Sequence, residues 1–190
     1  MAVLVVAGSG REAGKTAVGC ALIAAMPEFR WVAAKISPHL HGVGEELWEE
    51  PNSRSEKDTG RYLGAGARRS FLIRGVSDSR TAELIGEARS AAQECDALVV
   101  ESNRIAAQVV AKCGEPSCSI AVVVGTESEW KASLRECIGS VDALVLVGGV
   151  SPEEFESTFL RKPIFTMTAG QWSMPELVGF VRDRLLLANS

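Results

Sequence analysis

The chain has 190 residues, a formal net charge of −4, 46% hydrophobic residues and 23% charged residues. That length suits one domain, 1–190, around one core. The acidic balance argues against a nucleic-acid surface, where basic residues are in excess, and no run of about 18 apolar residues is there to cross a membrane.

The opening Met-Ala-Val-Leu-Val-Val lacks the basic start and longer apolar stretch of a secretory leader, and it reads as a first strand. The five cysteines, Cys20, Cys95, Cys113, Cys118 and Cys137, are odd in number and scattered. They are expected to be reduced thiols of a cytoplasmic protein. Cys113 and Cys118 lack a second pair at ligand spacing and read as small residues around a Gly114-Glu115-Pro116 turn.

In chain order, apolar runs alternate with helical patterns. The strands predicted are Val3–Ala7, Trp31–Ile36, Ser70–Ile73, Ala97–Val100, Ile120–Val124, Ala143–Val147 and Ile164–Met167. Most are continuously apolar, as strands buried on both faces of a parallel sheet should be. The helices predicted are Thr16–Ala25, Ser79–Cys95, Arg104–Lys112, Ser128–Cys137, Pro152–Phe159 and Met174–Leu187. Ser151-Pro152-Glu153-Glu154 has the cap, first-turn proline and early acids of a helix start, and Ser173-Met174-Pro175-Glu176 is similar. The alternation predicts an α/β fold: a doubly wound, mostly parallel sheet with helices on both faces. The polar segment 39–57 interrupts the rhythm and is expected to be a mobile loop over the active site or a solvated excursion.

Strand, glycine-rich turn and helix meet at Gly8-Ser9-Gly10-Arg11-Glu12-Ala13-Gly14-Lys15-Thr16-Ala17. Small residues let backbone N–H groups wrap a phosphate, and the helix start adds its positive dipole end. Lys15 is placed to neutralise β- and γ-phosphate charge, and the Thr16 hydroxyl to ligate Mg²⁺. The strict pattern G-x-x-x-x-G-K-[ST] would demand glycine at Ser9, yet the Gly-Lys-Thr core and its strand–helix setting are intact. The segment therefore predicts a site for a nucleoside triphosphate, GTP or ATP, together with Mg²⁺.

Two further positions fall at the same edge of such a sheet, where ligands gather beyond the carboxyl ends of the strands. Lys35 closes the second strand in Ala33-Ala34-Lys35-Ile36-Ser37-Pro38, just before His39 and His41, the only histidines. Lys35 should face a γ-phosphate or an acidic substrate. The histidines are candidates for metal, phosphate or proton chemistry, or simply exposed loop residues. Glu101 ends the strand Ala97-Leu98-Val99-Val100 and should reach Mg²⁺ or its waters. Asn103 follows as a candidate substrate contact, and Asp96 lies at the wrong edge. Arg61 is predicted on a short helix ended by glycines within Lys57-Asp58-Thr59-Gly60-Arg61-Tyr62-Leu63-Gly64. No Asn-Lys-x-Asp guanine motif occurs, and the loops at Gly125-Thr126, Val147-Gly148-Gly149 and Thr168-Ala169-Gly170 are candidates to cup the base.

The phosphate loop resembles that of dethiobiotin synthetase, G-T-D-T-E-V-G-K-T, through Gly8, Glu12, Gly14, Lys15 and Thr16. Lys35 followed by histidines, the Asp58–Ala67 block and Glu101 resemble MobB proteins, with Ser102 in place of a glycine. The extra lysine of MinD-type ATPases would fall at Gly10 and is absent. The MobB resemblance implies slow NTP hydrolysis in molybdopterin guanine dinucleotide formation, beside a nucleotidyltransferase as protein partner, with a homodimer to be considered. In these families Lys15, Lys35 and Glu101 would be the catalytic residues, Thr16 and Glu101 would serve the metal, and Ser37, His39, His41, Arg61 and Asn103 would be open to substrate. The alternatives are an ATP-dependent ligase or small-molecule kinase like dethiobiotin synthetase, and a nucleotide-dependent switch with negligible turnover.

Overall fold

The computed structural model describes residues 1–10, 12–37, 45–74, 77–103, 110–152, 161–168, 170–171 and 174–187. Its strands are β1 (Ala2–Gly8), β2 (Trp31–Ser37), β3 (Leu47–Glu49), β4 (Arg69–Arg74), β5 (Ala97–Glu101), β6 (Ser117–Val123), β7 (Ala143–Val147) and β8 (Ile164–Met167). Its α-helices are α1 (Lys15–Ala25), α2 (Asp58–Gly64), α3 (Asp78–Ala91), α4 (Ala132–Cys137) and α5 (Pro175–Leu186). The strands form one eight-stranded sheet in the order β3-β4-β2-β5-β1-β6-β7-β8. Every pairing is parallel except β3 with β4.

Alternation along the strands sorts the core into two layers. Leu4, Val6, Ala33 and Val99 pack under Val18, Leu22 and Ile23 of α1, Tyr62 of α2 and Leu177, Val181 and Leu185 of α5. Val3, Val5, Val32, Phe71 and Leu98 pack on the other face under Leu84, Ile85 and Ala88 of α3. Ala7, Val123 and Leu146 continue that face under Trp130 and Leu134. β1, β5 and β7 are buried along their whole length, which is why they carry no polar alternation. The doubly wound architecture expected from the sequence is therefore the one observed.

Three elements differ from expectation. Leu47–Glu49, inside the segment read as a loop, is a short antiparallel edge strand, and Arg69 clamps it through Glu49 at 2.6 Å. The helix predicted over Ser128–Cys137 is broken. Thr126 and Glu129 cap a single 3₁₀ turn, Glu127–Glu129, and the chain then runs extended through Trp130 and Lys131 before α4 begins. Burial of the Trp130 ring and a bond from the Lys131 amide to Ser9 O (3.1 Å) account for that interruption. The third helix starts one residue early because Ser77 caps it, accepting from the Arg80 amide, and it ends at Ala91. Most of the predicted helices Arg104–Lys112 and Pro152–Phe159, with Arg11, His39 and His41, lie outside the described residues. No helix among the described residues is long and apolar enough to cross a membrane.

Candidate functional site

The site is built from register. Lys35 on β2 is the Cα partner of Glu101 on β5, and Glu101 is the partner of Val6 on β1. Partners in a parallel pair point to the same face, so Lys35 and Glu101 both project toward α1 and α2. They stand at the carboxyl end of the sheet, beside the turn that links β1 to α1. Lys35 Nζ bonds Glu101 Oε1 at 3.0 Å and also pairs with Asp58, the first residue of α2. Arg61 closes the rim, 3.4 Å from Asp58. Burial works to raise the Asp58 carboxyl, but its bond to Lys35 and that ammonium's charge hold it below its ordinary range. Lys35 itself is raised: burial opposes this, and the charges of Glu101 and Asp58 outweigh burial.

The phosphate loop is held before any ligand arrives. The Asn103 side chain accepts from Gly8 N at 2.8 Å and donates to Gly8 O at 2.7 Å. Ser9, buried to 5% exposure, donates to Val124 O (3.1 Å) and accepts from Val124 N (2.9 Å). The hydroxyl that breaks the strict glycine pattern thus pins the loop to the end of β6. Gly14 caps α1 at φ 92°, a left-handed conformation that favours glycine, and no side chain bonds the helix start. The first amides of α1 are therefore offered to an anion. A Cβ on Gly8 would lie 2.6 Å from Lys15 Cγ, so glycine there lets the lysine fold back over the loop.

Lys15 Nζ donates to Gly10 O at 2.8 Å. Burial lowers its pKa, Lys35 and Lys131 add to this, and the charges of Glu101 and Asp58 oppose it. A partly desolvated ammonium of this kind gains from an added anion. Thr16 donates its proton to Glu101 Oε2 at 2.7 Å, and the fully buried Tyr62 hydroxyl donates to the same oxygen at 2.9 Å. Burial first, then the Glu101 charge, pushes the Tyr62 pKa up, so it stays a donor. With its O–H directed at Glu101, the Thr16 oxygen keeps its lone pairs for a cation. Hydroxyl and carboxylate oxygens suit Mg²⁺, which needs only one or two protein ligands beside water and phosphate. No cluster of three or more His, Cys, Asp or Glu able to hold a metal occurs among the described residues. One hydroxyl and one carboxylate, Thr16 and Glu101, suit an ion that takes its other ligands from phosphate and water.

The structure thus gathers Lys15, Thr16, Lys35 and Glu101, and places Arg61 on their rim. Ser37 lies two positions beyond Lys35, on the same face at the end of β2. Asn103, read as a substrate contact, is engaged by the phosphate loop backbone and approaches Ser133 at 3.4 Å. Asp58 and Tyr62 were not singled out from the sequence, although Asp58 stood in a block whose acid and arginine had drawn notice. Asp96 sits at the opposite edge, holding Arg30 at 2.9 Å.

A β-strand running through a glycine-rich turn into a helix, at the carboxyl edge of a doubly wound parallel sheet, is the arrangement of a P-loop NTPase fold, and the chain has that fold. No protein-family model and no curated protein sequence matches it. Among solved structures it is similar to the hydrogenase maturation factor HypB of Archaeoglobus fulgidus, with 16% identity and a TM-score of 0.60 over 97% of this chain and 90% of that one. HypB of Helicobacter pylori, solved in complex with nickel, gives 13% identity and 0.59 over 96% and 86%. Bacillus subtilis MobB gives 20% identity and 0.47 over 97% of each chain. At these identities the likeness is one of fold.

Proposed function

We propose that this chain binds a magnesium-bound nucleoside triphosphate, GTP or ATP, and hydrolyses it slowly. The observation that carries the reading is the convergence of Lys15, Thr16 and Glu101, with the Thr16 hydroxyl donating a hydrogen bond to Glu101 Oε2 at 2.7 Å. The amides at the start of α1 receive the β-phosphate. Lys15 exchanges its bond to Gly10 for the terminal phosphates. Lys35 stands on the far side, where charge develops as the γ-phosphoryl group leaves. Mg²⁺, when bound through Thr16 and Glu101, neutralises phosphate charge. Within this reading, the resemblance to MobB through Lys35 and the Asp58–Ala67 block favours a helper role in molybdopterin guanine dinucleotide formation, with turnover raised by a nucleotidyltransferase partner.

A second reading, a ligase or small-molecule kinase, is favoured by a cavity that opens beside Lys35. The two part on stimulation: a protein partner accelerates a helper, a small acid accelerates a ligase.

The nucleotide reading is tested with Lys15→Ala in titrations with labelled GTP and ATP. Removing a buried, charge-assisted contact of about 3 kcal/mol should weaken affinity by about 100-fold or more. An affinity equal to that of the unaltered chain would refute it. The same titrations show which base is preferred.

A further inference from the structure

A cavity of about 350 Å³ adjoins the phosphate site, within the size range of small-metabolite pockets. Its floor is set by register: Lys35 pairs with Leu72, and Ser37 with Arg74, across β2 and β4, so all four face the same side. Lys57, Asp58 and Thr59, at the start of α2, form its wall. Three cations thus face one carboxylate. Their engagements differ. Lys35 is compensated by Asp58 and Glu101. Among the described residues, neither the Arg74 guanidinium nor the Lys57 ammonium makes a hydrogen bond or ion pair, and Lys57 only lies 5.2 Å over the Trp48 ring. The Thr59 hydroxyl is turned away to the buried Glu50 at 2.9 Å. Arg74 and Lys57 are therefore uncompensated charges lining one cavity, and Lys35, which lines it too, links it to Glu101.

We propose that this cavity binds a small molecule through a carboxylate or phosphate group held between Arg74 and Lys57, next to the nucleotide's terminal phosphate. Its anion site stands beside the nucleotide proposed above; in role it rests on the second reading, ligase or small-molecule kinase, in which the bound anion is the substrate that accepts the γ-phosphoryl group. The chemistry of the lining suits an anion. Among the described residues Asp58 is the only carboxylate lining it, and that carboxylate is already engaged by Lys35 and Arg61. An alcohol would need a base to activate it, whereas a carboxylate or phosphate already carries its charge. Arg74 offers a fork that matches either group, and Lys57 offers a point charge.

The test is equilibrium dialysis of labelled inorganic phosphate, and separately of labelled malonate, against the chain saturated with Mg²⁺ and a non-hydrolysable NTP analogue. One saturable anion site beyond the nucleotide is expected. Arg74→Gln and Lys57→Gln should each weaken it about tenfold, and Arg54→Gln, on an exposed turn outside the cavity, should leave it unchanged. Phosphate binding alone assigns a phosphoryl group, malonate binding alone a carboxylate, and both the shared anion. The measurement is repeated without nucleotide in Lys15→Ala, where the phosphate loop no longer competes. If the pocket still binds anion there while the unaltered chain takes no nucleotide, the nucleotide reading fails and the pocket stands. No saturable site for either probe, or one indifferent to Arg74→Gln and Lys57→Gln, would overturn the proposal.

Discussion

The two edges of the sheet use charge in opposite ways. At the amino edge Asp96, Asp142 and Glu115 are each fixed to a partner across the fold. Asp96 takes the Arg30 amide and side chain, Asp142 holds the Ser119 amide at 2.7 Å and Arg184 at 3.2 Å, and Glu115 binds Arg89 at 2.6 Å. These pairs tie a strand start to a helix or a neighbouring strand. At the carboxyl edge Lys15, Lys35, Asp58 and Glu101 are gathered at one spot, where burial and the neighbouring charges shift the ionisation of Lys15, Lys35 and Asp58. The amino edge closes the structure, and the carboxyl edge keeps capacity for a polyanion and a cation. Removing a charge at one edge should cost stability, and at the other it should cost ligand.

Glu101→Gln gives the largest contrast. The amide keeps the shape and one acceptor for Thr16 but loses the charge that balances Lys35 and the metal. Nucleotide binding should survive, while turnover falls by about 100-fold and its dependence on Mg²⁺ flattens. Turnover measured against magnesium concentration decides it: a normal curve at normal rate would show that Glu101 is only a strand-end acid. A smaller effect is expected from Tyr62. Its ring lies against Gly19, where an added Cβ would approach Tyr62 Cε1 to 3.0 Å, and its hydroxyl fixes Glu101 Oε2. Tyr62→Phe should lower stability by about 1 kcal/mol and raise the magnesium needed for half-maximal turnover by roughly two- to tenfold. Lost stability with unmoved metal dependence would make Tyr62 a core residue and nothing more.

Much of this carboxyl edge is legible in the sequence because each part is local. The apolar strands are continuous, so both-face burial could be read from them, and the Gly-Lys-Thr step, Lys35 and Glu101 all follow directly from a strand end. What escaped notice depends on register between distant segments. Nothing local says that Asp58 and Tyr62 turn toward Glu101, a juxtaposition set by the packing of α2 on β2. β3 is three residues on an edge, too short for alternation to declare itself. Ser9 looked like a flaw in a motif until its bonds to Val124 were in place. The break at Trp130 arises because one large ring and one amide have tertiary partners that override helix propensity. The Asp58–Ala67 block is visible through its family resemblance, but the cavity between α2 and β4 has no sequence signal, since Lys57 and Arg74 are 17 positions apart and line one cavity only because α2 packs beside β4.

Glu115 provides the opposite arm of the comparison and the smallest expected effect on function. Burial alone would raise its pKa. Two bonds from Arg89, the Lys112 amide and the Met1 amino group outweigh that and bring it down to about 2, against 4.5 for the free group. Because the folded value lies below the unfolded one, the stabilisation is fully present above pH about 4.5 and disappears as the pH falls toward 2. Allowing for solvent screening, it is worth about 1–2 kcal/mol. Glu115→Gln should therefore lower the urea midpoint at pH 7 and flatten its decline between pH 5 and pH 2. Nucleotide affinity should not change, because the latch lies at the opposite end of β1 from the phosphate loop. A loss of nucleotide affinity in this variant, at temperatures where it is fully folded, would mean that the two edges communicate along β1. The division into a closing edge and a binding edge would then be wrong.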